Sequence, residues 1–350
     1  MNLKNVLVLF GGCSPEHDIS LASASGVIHY LEGYNIVPVC ITRDGRWMLY
    51  DGKLDNLRNV DWERFGTPAV LSPDRASRGL LRIVGDKVRT LPIDVVFPIL
   101  HGKNGEDGSI QGLCQLAGIP CVGCGVMASA VCLDKTMAKI VAQSLKIPQT
   151  EYIVFKDGLL DDLESVMKAI RYKIGYPCFI KPADAGSSIG ISIAKNKKDL
   201  RGALGEALAV SSKIIAEKAV RGRELECGVF GRGDEIMASH PGEIIADGEF
   251  YDYSAKYLKE GTKTIIRAEI PEKAAETIKR HAVDIFRAVD GRGLARVDFF
   301  LEESGRVVFN EINTMPGFTA ISMFSMMWEA NGLSMPDLVN RLIEIACSRV

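Results

Sequence analysis

The chain has 350 residues, of which 47% are hydrophobic and 25% charged, and its formal net charge is −2. These values are typical of a globular protein with two or three domains, and the nearly balanced charge argues against nucleic acid as a partner. No apolar run reaches the length of a membrane-spanning helix. The run Val6–Phe10 is too short for the core of a signal peptide, so we expect a cytoplasmic protein with small-molecule partners and no membrane contact.

The N-terminal segment has the order strand, glycine-rich loop, helix. Asn5–Phe10 is a buried-strand pattern, residues 11–20 form the loop, and Leu21–Leu31 is helical. This order is typical of an α/β nucleotide-binding layer. The loop matches neither GxGxxG nor GxxxxGK[ST], so neither dinucleotide nor P-loop binding is predicted. Glu16 in this loop either binds a cation such as an ammonium group or favours the helix start through the helix dipole.

The next part of the chain predicts two further strands, Ile36–Ile41 and Val95–Leu100, and a small hairpin at Gly45–Tyr50. Residues 52–90 are polar and weakly patterned, which predicts irregular structure. His101 follows a strand and precedes a glycine-rich loop, the place where open α/β sheets bind ligands. A single histidine is also a common structural residue.

Residues 111–117, 128–145 and 161–170 are predicted to be helices, and Val122–Gly125 a break that marks a first domain boundary. Lys135 lies in the second of these helices. By itself it would be read as a solvated surface lysine.

A lysine-bearing strand followed by a Gly/Ser loop is a strong local signal. Tyr176–Pro182 predicts a strand with Lys181 near its end, and residues 183–190 contain Ser187 and Ser188 before a strand pattern resumes at 191–194. Such loops offer N–H and hydroxyl donors to phosphates, and the lysine adds a positive charge. The alternative is an ordinary hairpin turn.

The following segment contains a helix at 199–210 and strands at 213–218 and 223–230. Glu224 at the start of the second strand could accept ribose hydroxyls or could simply be exposed. Residues 248–257 have little periodicity and predict a long surface loop, and loops of this kind are often lids.

A helix at 271–289 leads into a predicted β-hairpin made of residues 296–301 and 306–313, and residues 333–346 form a terminal amphipathic helix. The four-residue loop of the hairpin predicts two cross-strand pairs, Arg296 with Glu311 and Asp298 with Phe309.

Side chains alternate between the faces of a strand, so this register places a set of four polar side chains and one aromatic ring on one face of the hairpin. Its members are Arg296, Asp298, Phe309, Glu311 and Asn313. One interpretation is an Arg296–Glu311 ion pair with Asp298 exposed. The other is a site for a hard cation, because Asp298, Glu311 and Asn313 offer only oxygen ligands, which suits magnesium better than zinc.

The nine cysteines form no regular framework. Cys121 and Cys124 have the spacing of half a zinc site, but neither a second CxxC nor a nearby histidine completes it. We therefore expect reduced thiols here rather than a metal or redox role.

Together these motifs resemble the D-alanine–D-alanine ligases of the ATP-grasp fold. The resemblance spans roughly residues 4–347, and the motifs occur in the family's order: GGCSPEHDIS, LHGKNGEDGSIQG, LDK, FIKPADAGSSIG, IIAEK, FYDYSAKY, ARVDFF and NEINTMPGFT. The resemblance implies an α/β protein, α+β in its ATP-binding half, with three domains. These would be a Rossmann-like parallel-sheet domain (1–123), a central ATP-grasp subdomain (124–217) and a C-terminal subdomain with the lid and metal site (218–350).

The resemblance also implies a nucleotide and metal site. Its phosphate-binding residues would be Lys135, Lys181, Ser187, Ser188 and the lid residue Lys256. Adenine and ribose would be held by Glu217, Lys218 and Glu224. Two magnesium or manganese ions would be held by Asp298, Glu311 and Asn313.

Two amino-acid sites follow from the same resemblance. The first D-alanine would be surrounded by Glu16, His101, Ser187 and Tyr257, with Glu16 on its ammonium group. Arg296 and the N–H of Gly317 would form an oxyanion hole. Ser322 and Met323 would line the second site, with the serine at the carboxylate.

The implied reaction is ATP-dependent joining of two D-alanines through D-alanyl phosphate, for peptidoglycan precursors, in a homodimer. The rivals are resistance-type ligases that use D-serine or D-lactate, another ATP-grasp carboxylate–amine ligase, and a nucleotide-binding regulator. Depsipeptide makers usually lack the Lys256–Tyr257 pattern, and resistance-type ligases often have arginine where Met323 stands. The intact metal set argues against a regulator.

Overall fold

The computed structural model describes residues 3–156, 162–245, 263–319 and 321–348. The helices are α1 (His17–Tyr30), α2 (Trp62–Phe65), α3 (Ser109–Ala117), α4 (Val126–Leu133), α5 (Lys135–Ser144), α6 (Leu163–Lys173), α7 (Lys197–Leu208), α8 (Glu272–Ala288), α9 (Met323–Ala330) and α10 (Met335–Cys347). None of the helices in these parts of the chain combines the length and the apolar character needed to cross a lipid bilayer.

The strands belong to three sheets. The first contains β1 (Asn5–Gly11), β2 (Asn35–Ile41), β3 (Trp47–Tyr50), β4 (Gly66–Leu71), β5 (Gly79–Val84), β6 (Lys87–Pro92) and β7 (Val95–Ile99). The second contains β8 (Tyr152–Lys156), β9 (Cys178–Pro182), β10 (Ser192–Ala194) and β11 (Lys213–Lys218). The third contains β12 (Arg223–Gly231), β13 (Met237–Ala238), β14 (Gly242–Ile245), β15 (Lys263–Ile265), β16 (Gly293–Leu301) and β17 (Val307–Asn313). The first and third sheets each lie within one predicted domain, and the second lies within the central one except for Lys218 at the end of β11; the domain boundaries remain a prediction.

The first sheet has the order β6-β5-β4-β3-β2-β1-β7. Strand β1 is buried almost throughout and pairs in parallel with β2 and β7, which agrees with the predicted α/β layer. Strands β3 to β6 extend the sheet as an antiparallel meander. The prediction of irregular structure for residues 52–90 was therefore wrong. Strand β6 is almost wholly exposed, so it lacks the apolar alternation by which a strand is recognised.

The other two sheets are antiparallel, in the orders β10-β9-β11-β8 and β15-β14-β12-β16-β17, with β13 on β12. Helices α6 and α7 cover the second sheet. Helix α8 covers the third with Ile278, Ile285 and Phe286, which are fully buried.

The predicted helix 128–145 is in fact two helices, α4 and α5, that meet at Asp134. The Asp134 carboxylate accepts hydrogen bonds from the N–H groups of Thr136 (2.9 Å) and Met137 (3.2 Å). An aspartate in this position satisfies the free N–H groups of a new helix start. Lys135 therefore begins α5 instead of lying within a longer helix, and its position is fixed by the cap.

The hairpin β16–β17 differs from its predicted register. Arg296 lies opposite Asn313 and Asp298 opposite Glu311, whereas Phe299 lies opposite Phe309, because a bulge separates Asp298 from Phe299. A bulge adds one residue to one strand and re-aims the side chains beyond it. The predicted pairs Arg296–Glu311 and Asp298–Phe309 were wrong. The acids still face each other, but Phe309 points into the core instead of joining them.

The last helix returns to the first sheet. Leu338 and Leu342 of α10 belong to the same buried cluster as Val6, Val8 and Phe10 of β1. Phe318 joins this cluster, with its ring centroid 6.1 Å from that of Phe97. The segment after the hairpin is thereby anchored on the first sheet, so its loop is held beside the ends of β1 and β7. Helix α9, which was not predicted, packs on β12 within the same region.

The core beneath the hairpin should tolerate the loss of a large side chain poorly. Phe299 is fully buried, and its ring centroid lies 6.1 Å from that of Phe309. We expect Phe299→Ala to lower the free energy of unfolding by about 3–5 kcal/mol, because it removes a buried ring and leaves a cavity. Urea titration measures this change. Phe65→Ala is the matched control, since Phe65 is 58% exposed. Equal losses in the two variants would contradict this account of the core.

Candidate functional site

One cleft collects residues from all three sheets and their loops. Its walls come from the loops after β1, β7 and β9, from the start of α5, and from the hairpin with the loop that follows it. The predicted site residues that line it are Glu16, His101, Lys135, Ser187, Ser188, Arg296, Glu311, Asn313 and Gly317. Side chains from positions almost 300 residues apart therefore share one cavity, which local sequence patterns alone do not establish.

The Gly/Ser loop closes against Glu16. The hydroxyl of Ser187 donates a hydrogen bond to the carboxylate of Glu16, which is only 5% exposed. The loop approaches so closely that a Cβ on Gly186 would lie 3.2 Å from Glu16 Oε2. Ser187 and Ser188 have φ values of +46° and +56°, a left-handed conformation that costs non-glycine residues energy and is concentrated at functional sites. The loop does join two antiparallel strands, β9 and β10, but it is more than a plain hairpin turn.

His101 is buried and connects three loops that border the cleft. Its Nδ1 lies 3.1 Å from the carbonyl oxygen of Met315, and its own carbonyl accepts a hydrogen bond from Ser14 Oγ at 2.8 Å. His101 therefore holds the loop after β7 against both the β1–α1 loop and the loop after the hairpin.

Glu106 is a buried cleft residue that sequence reasoning did not select. Its carboxylate accepts a hydrogen bond from the N–H of Gly102 at 2.6 Å and another from the N–H of Met315. Burial, with a further contribution from the negative charge of Glu16, raises the pKa of Glu106 to about 8. The only signal in the sequence was its place in the loop that contains His101.

The start of α5 brings Lys135 into the cleft. Its side chain is 8% exposed, its Nζ donates to the carbonyl of Ala185 at 2.6 Å, and the Nζ lies 3.8 Å from Glu311 Oε2. The alternative of a solvated surface lysine was wrong. Asp134 also pairs with Lys213 Nζ at 2.6 Å, which fixes the helix start to the second sheet.

Glu217 forms a buried ion cluster with two lysines. Its Oε2 lies 2.6 Å from Lys181 Nζ and its Oε1 2.8 Å from Lys139 Nζ. Burial alone would raise the pKa of Glu217, but the two lysines lower it to about 2. Against the effect of burial, Glu217 and, less strongly, Glu311 raise the pKa of Lys181. Lys139 was not predicted as a site residue, since an isolated lysine in a helix gives no signal of burial.

Arg296 occupies the centre of an acidic cluster on the third sheet. Its Nε and a terminal nitrogen bind Asp298 at 2.8 and 2.7 Å, and its Nε lies 3.2 Å from Glu226 Oε1. Asp298 is 3% exposed, so the interpretation with Arg296 paired to Glu311 and Asp298 exposed was wrong. Against burial, Asp298, Glu226 and Glu311 raise the pKa of Arg296 well above its ordinary value, so the guanidinium stays charged. Glu226 was missed because its pattern is that of an ordinary strand residue.

The oxygen ligands proposed for a metal lie next to this arginine. Asp298 and Glu311 are directly opposite each other across the hairpin, and Asn313 is opposite Arg296. Asn313 Oδ1 accepts the N–H of Met315 at 2.9 Å. In the described ranges no cluster of three or more Asp, Glu, His or Cys side chains is placed to hold a metal. Two carboxylates and an amide, completed by phosphates of a substrate and water, are the kind of ligand set that magnesium accepts.

The loop after the hairpin carries the residues predicted for the second amino acid. Ser322 Oγ accepts the N–H of Thr319 at 3.0 Å and lies 2.8 Å from where a Cβ on Gly317 would be. The serine therefore requires glycine at this position. Met323, the first residue of α9, is buried with Ile244 and Met327.

The remaining predicted residues lie outside the cleft or outside the described chain. Glu224 is half-buried on β12, and its charge acts on Lys181. Lys218 is exposed, with its Nζ 3.7 Å from Glu151. Lys256 and Tyr257 lie outside the described residues.

All nine cysteines are free thiols, and burial raises the pKa of Cys124 to about 12, which disfavours the thiolate that a metal would need.

Two solved structures have the same architecture. The VanG D-Ala:D-Ser ligase from Enterococcus faecalis matches with a TM-score of 0.89 and 38% identity, covering 99% of this chain and 100% of that one. The D-alanine–D-alanine ligase from Coxiella burnetii matches with a TM-score of 0.85 and 34% identity, covering 98% and 95%. The fold and the cleft define an ATP-grasp protein, as predicted.

Family models give the more specific assignment. The model for the D-ala D-ala ligase N-terminus matches residues 5–124, and that for the C-terminus matches residues 141–344. A D-alanine–D-alanine ligase from Acetivibrio thermocellus is 45% identical, over 99% of this chain and 96% of the relative. Another from Caldicellulosiruptor bescii is 43% identical, over 100% and 96%. The chain belongs to the D-alanine–D-alanine ligase family.

The raised pKa of Glu106 leads to a test by pH. A carboxyl group with a pKa of about 8 when folded and about 4.5 when unfolded stabilises the fold fully only at low pH, and its contribution is lost as pH rises towards 8. We expect Glu106→Gln, a neutral mimic, to gain stability relative to the wild type between pH 5 and 8, by at most about 1.4 kcal/mol per pH unit. The difference should be constant above about pH 8.

Chemical denaturation at several pH values measures this difference. Glu32→Gln is the control, because Glu32 is exposed and the same change there should give no pH-dependent difference. A pH-independent effect of Glu106→Gln would show that Glu106 is ionised throughout this range.

Proposed function

We propose that this protein joins two D-alanines to D-alanyl-D-alanine, with ATP as co-substrate and D-alanyl phosphate as intermediate, for peptidoglycan precursor synthesis. The observation that carries the proposal is the single cleft in which the Glu16–Ser187 pair, Lys135 and the hairpin groups Arg296 and Glu311 face one another. An amino acid and a terminal phosphate can meet only where both kinds of group are present.

The amino-acid end is formed by Glu16, Ser187 and His101. A buried carboxylate is costly without a cationic partner, and an ammonium group supplies one. In this role Glu16 binds the ammonium of the first D-alanine, and Ser187 and His101 fix its orientation. Tyr257 would complete this end from the lid segment.

The phosphate end is formed by Lys135, Lys181 and the Ser187–Ser188 loop, with Lys256 from the lid. Charge spread over a transferring phosphoryl group is stabilised by cations held in place beforehand. Adenine and ribose would lie at Glu217, Lys218 and Glu224, on β11 and β12.

Asp298, Glu311 and Asn313 fit magnesium or manganese by their oxygen-only donors, and we propose that they hold two such ions with ATP. Bound there, the metal supplies charge neutralisation at the phosphates. The protein's own contribution is to keep Asp298 and Glu311 facing each other across the hairpin.

The chemistry requires activation of a carboxylate. An oxygen of the first D-alanine carboxylate attacks the γ-phosphorus, and the bond to ADP breaks. The free amine of the second D-alanine then attacks the acyl carbon, and phosphate leaves. Arg296 and the N–H of Gly317 are placed to stabilise the oxyanion that forms in this step, and loss of one such donor typically costs about 2.7–4 kcal/mol. Ser322 would bind the second carboxylate, above Met323.

D-Alanine is the proposed second substrate. The relatives from A. thermocellus, C. bescii and Thermoanaerobacter, at 41–45% identity, are named D-alanine–D-alanine ligases. Met323 is consistent with this preference, and the resistance-type alternative is not favoured. A phosphate-release assay with D-alanine, D-serine and D-lactate as second substrates tests it. A higher kcat/KM for D-serine or D-lactate would assign the protein to the other specificity.

We further propose a cytoplasmic homodimer, by analogy with the family. Sedimentation of the purified protein would measure its oligomeric state.

The metal role of Glu311 gives a direct mutational test. We expect Glu311→Gln to lower kcat for phosphate release by more than about 100-fold, since loss of even an outer-shell partner of a metal typically costs 10–100-fold. Glu303→Gln makes the same chemical change at an exposed position of the same hairpin and should retain full turnover. Near-normal turnover of a folded Glu311→Gln protein would refute the metal assignment.

A further inference from the structure

Lys139 is a cation that the proposed reaction has not used. It lies one turn after Lys135 on α5, and its side chain is 1% exposed. Its Nζ lies 2.8 Å from Glu217 Oε1 and 5.6 Å from the centroid of the Tyr152 ring. A lysine this deeply buried is costly and is retained only when it is paired. Neither Lys139 nor Lys181 is among the residues that line the cleft, but Lys139 is the more deeply buried of the two.

The Glu217 carboxylate pairs with both Lys139 and Lys181, and the two lysine side chains differ in their solvent exposure. The side chain of Lys181 is 11% exposed, whereas that of Lys139 is 1% exposed. Two positive charges therefore meet one negative charge, and only one lysine is needed to neutralise the carboxylate. Lys181 is the one that can turn towards the cleft.

We propose that Lys139 is a positioning residue that remains the counter-ion of Glu217 when Lys181 moves to a nucleotide phosphate. This inference rests on the proposed use of ATP. If Lys181 were the sole partner of Glu217, its movement would leave a buried carboxylate unpaired, and such a loss is strongly unfavourable. Lys139 removes most of that cost and so makes Lys181 available. It also keeps Glu217 in a fixed place on β11 for the base of the nucleotide.

The test compares Lys139→Met in two backgrounds. In the protein with Glu217 intact, we expect Lys139→Met to raise the KM for ATP at least about tenfold, equivalent to about 1.4 kcal/mol. The KM for D-alanine should change by less than about threefold, because Lys139 is not among the residues that line the cleft with Glu16 and His101. In the Glu217→Gln background, the carboxylate that pairs directly with both lysines is gone, and Lys139→Met should change the KM for ATP by less than about threefold. Lys139→Arg, which keeps the charge, should retain more of the ATP affinity than Lys139→Met.

Several outcomes would overturn the proposal. Equal effects of Lys139→Met in both backgrounds, or parallel increases in KM for ATP and for D-alanine, would make Lys139 a purely structural residue. Lys168→Met is the control, since Lys168 is exposed on α6. Absence of any phosphate release by the wild type would refute the proposed function itself, a result separate from these.

A second measurement does not depend on the variants' folding. A crystal structure of the wild-type protein with a non-hydrolysable ATP analogue should have Lys139 still in contact with Glu217, and Lys181 on a phosphate oxygen. Lys181 still bound to Glu217, or Lys139 turned away from it, would contradict the proposal.

Discussion

Two buried clusters of charged side chains, one with a net positive charge and one with a net negative charge, determine what the cleft can bind. Lys139, Lys181 and Glu217 combine two cations with one anion, and Arg296, Asp298 and Glu226 combine two anions with one cation. Buried charges are stable only when they are paired, so each cluster holds together but keeps one charge in excess. The excess positive charge suits a phosphate and the excess negative charge suits a metal ion. Glu311 acts electrostatically on both clusters, and this places it between the two.

The fold fixes the positions of these charged side chains by placing them on strands and at a capped helix start. Lys181 and Glu217 lie on neighbouring strands of the second sheet, and Arg296 and Asp298 lie on a central strand of the third. Lys135 is fixed by the cap at Asp134. The Gly/Ser loop has two consecutive non-glycine residues in the left-handed conformation, Ser187 and Ser188, and that loop reaches across to Glu16. The charged side chains on strands are held in fixed positions, whereas the Gly/Ser loop spans the distance to Glu16.

Much of this arrangement could be predicted from the sequence. The features that could not be predicted are those that depend on packing between distant parts of the chain. The motif loops at Glu16, His101 and Ser187 were recognisable because glycines and polar residues interrupt buried strands. The hairpin register was not, since a bulge lies between Asp298 and Phe299, and no residue of the hairpin's sequence marks it. The buried charged residues Lys139 and Glu226 gave no local signal, and Glu106 gave only its place in the loop that contains His101, because burial of a charge depends on partners far away in the chain. Strand β6 was not predicted because it is almost wholly exposed, so its sequence does not show the apolar alternation of a strand with one buried face.

The position of α10 has a consequence for biosynthesis. The face of the first sheet that carries Val8 and Phe10 is covered in part by Leu338 and Leu342, so residues 5–99 cannot complete their core until residues 335–347 arrive. At a synthesis rate of roughly 5–20 residues per second, that interval lasts about 12–50 s. During this time the nascent sheet presents an apolar surface, which makes it a natural client of chaperones that bind ribosome-attached chains.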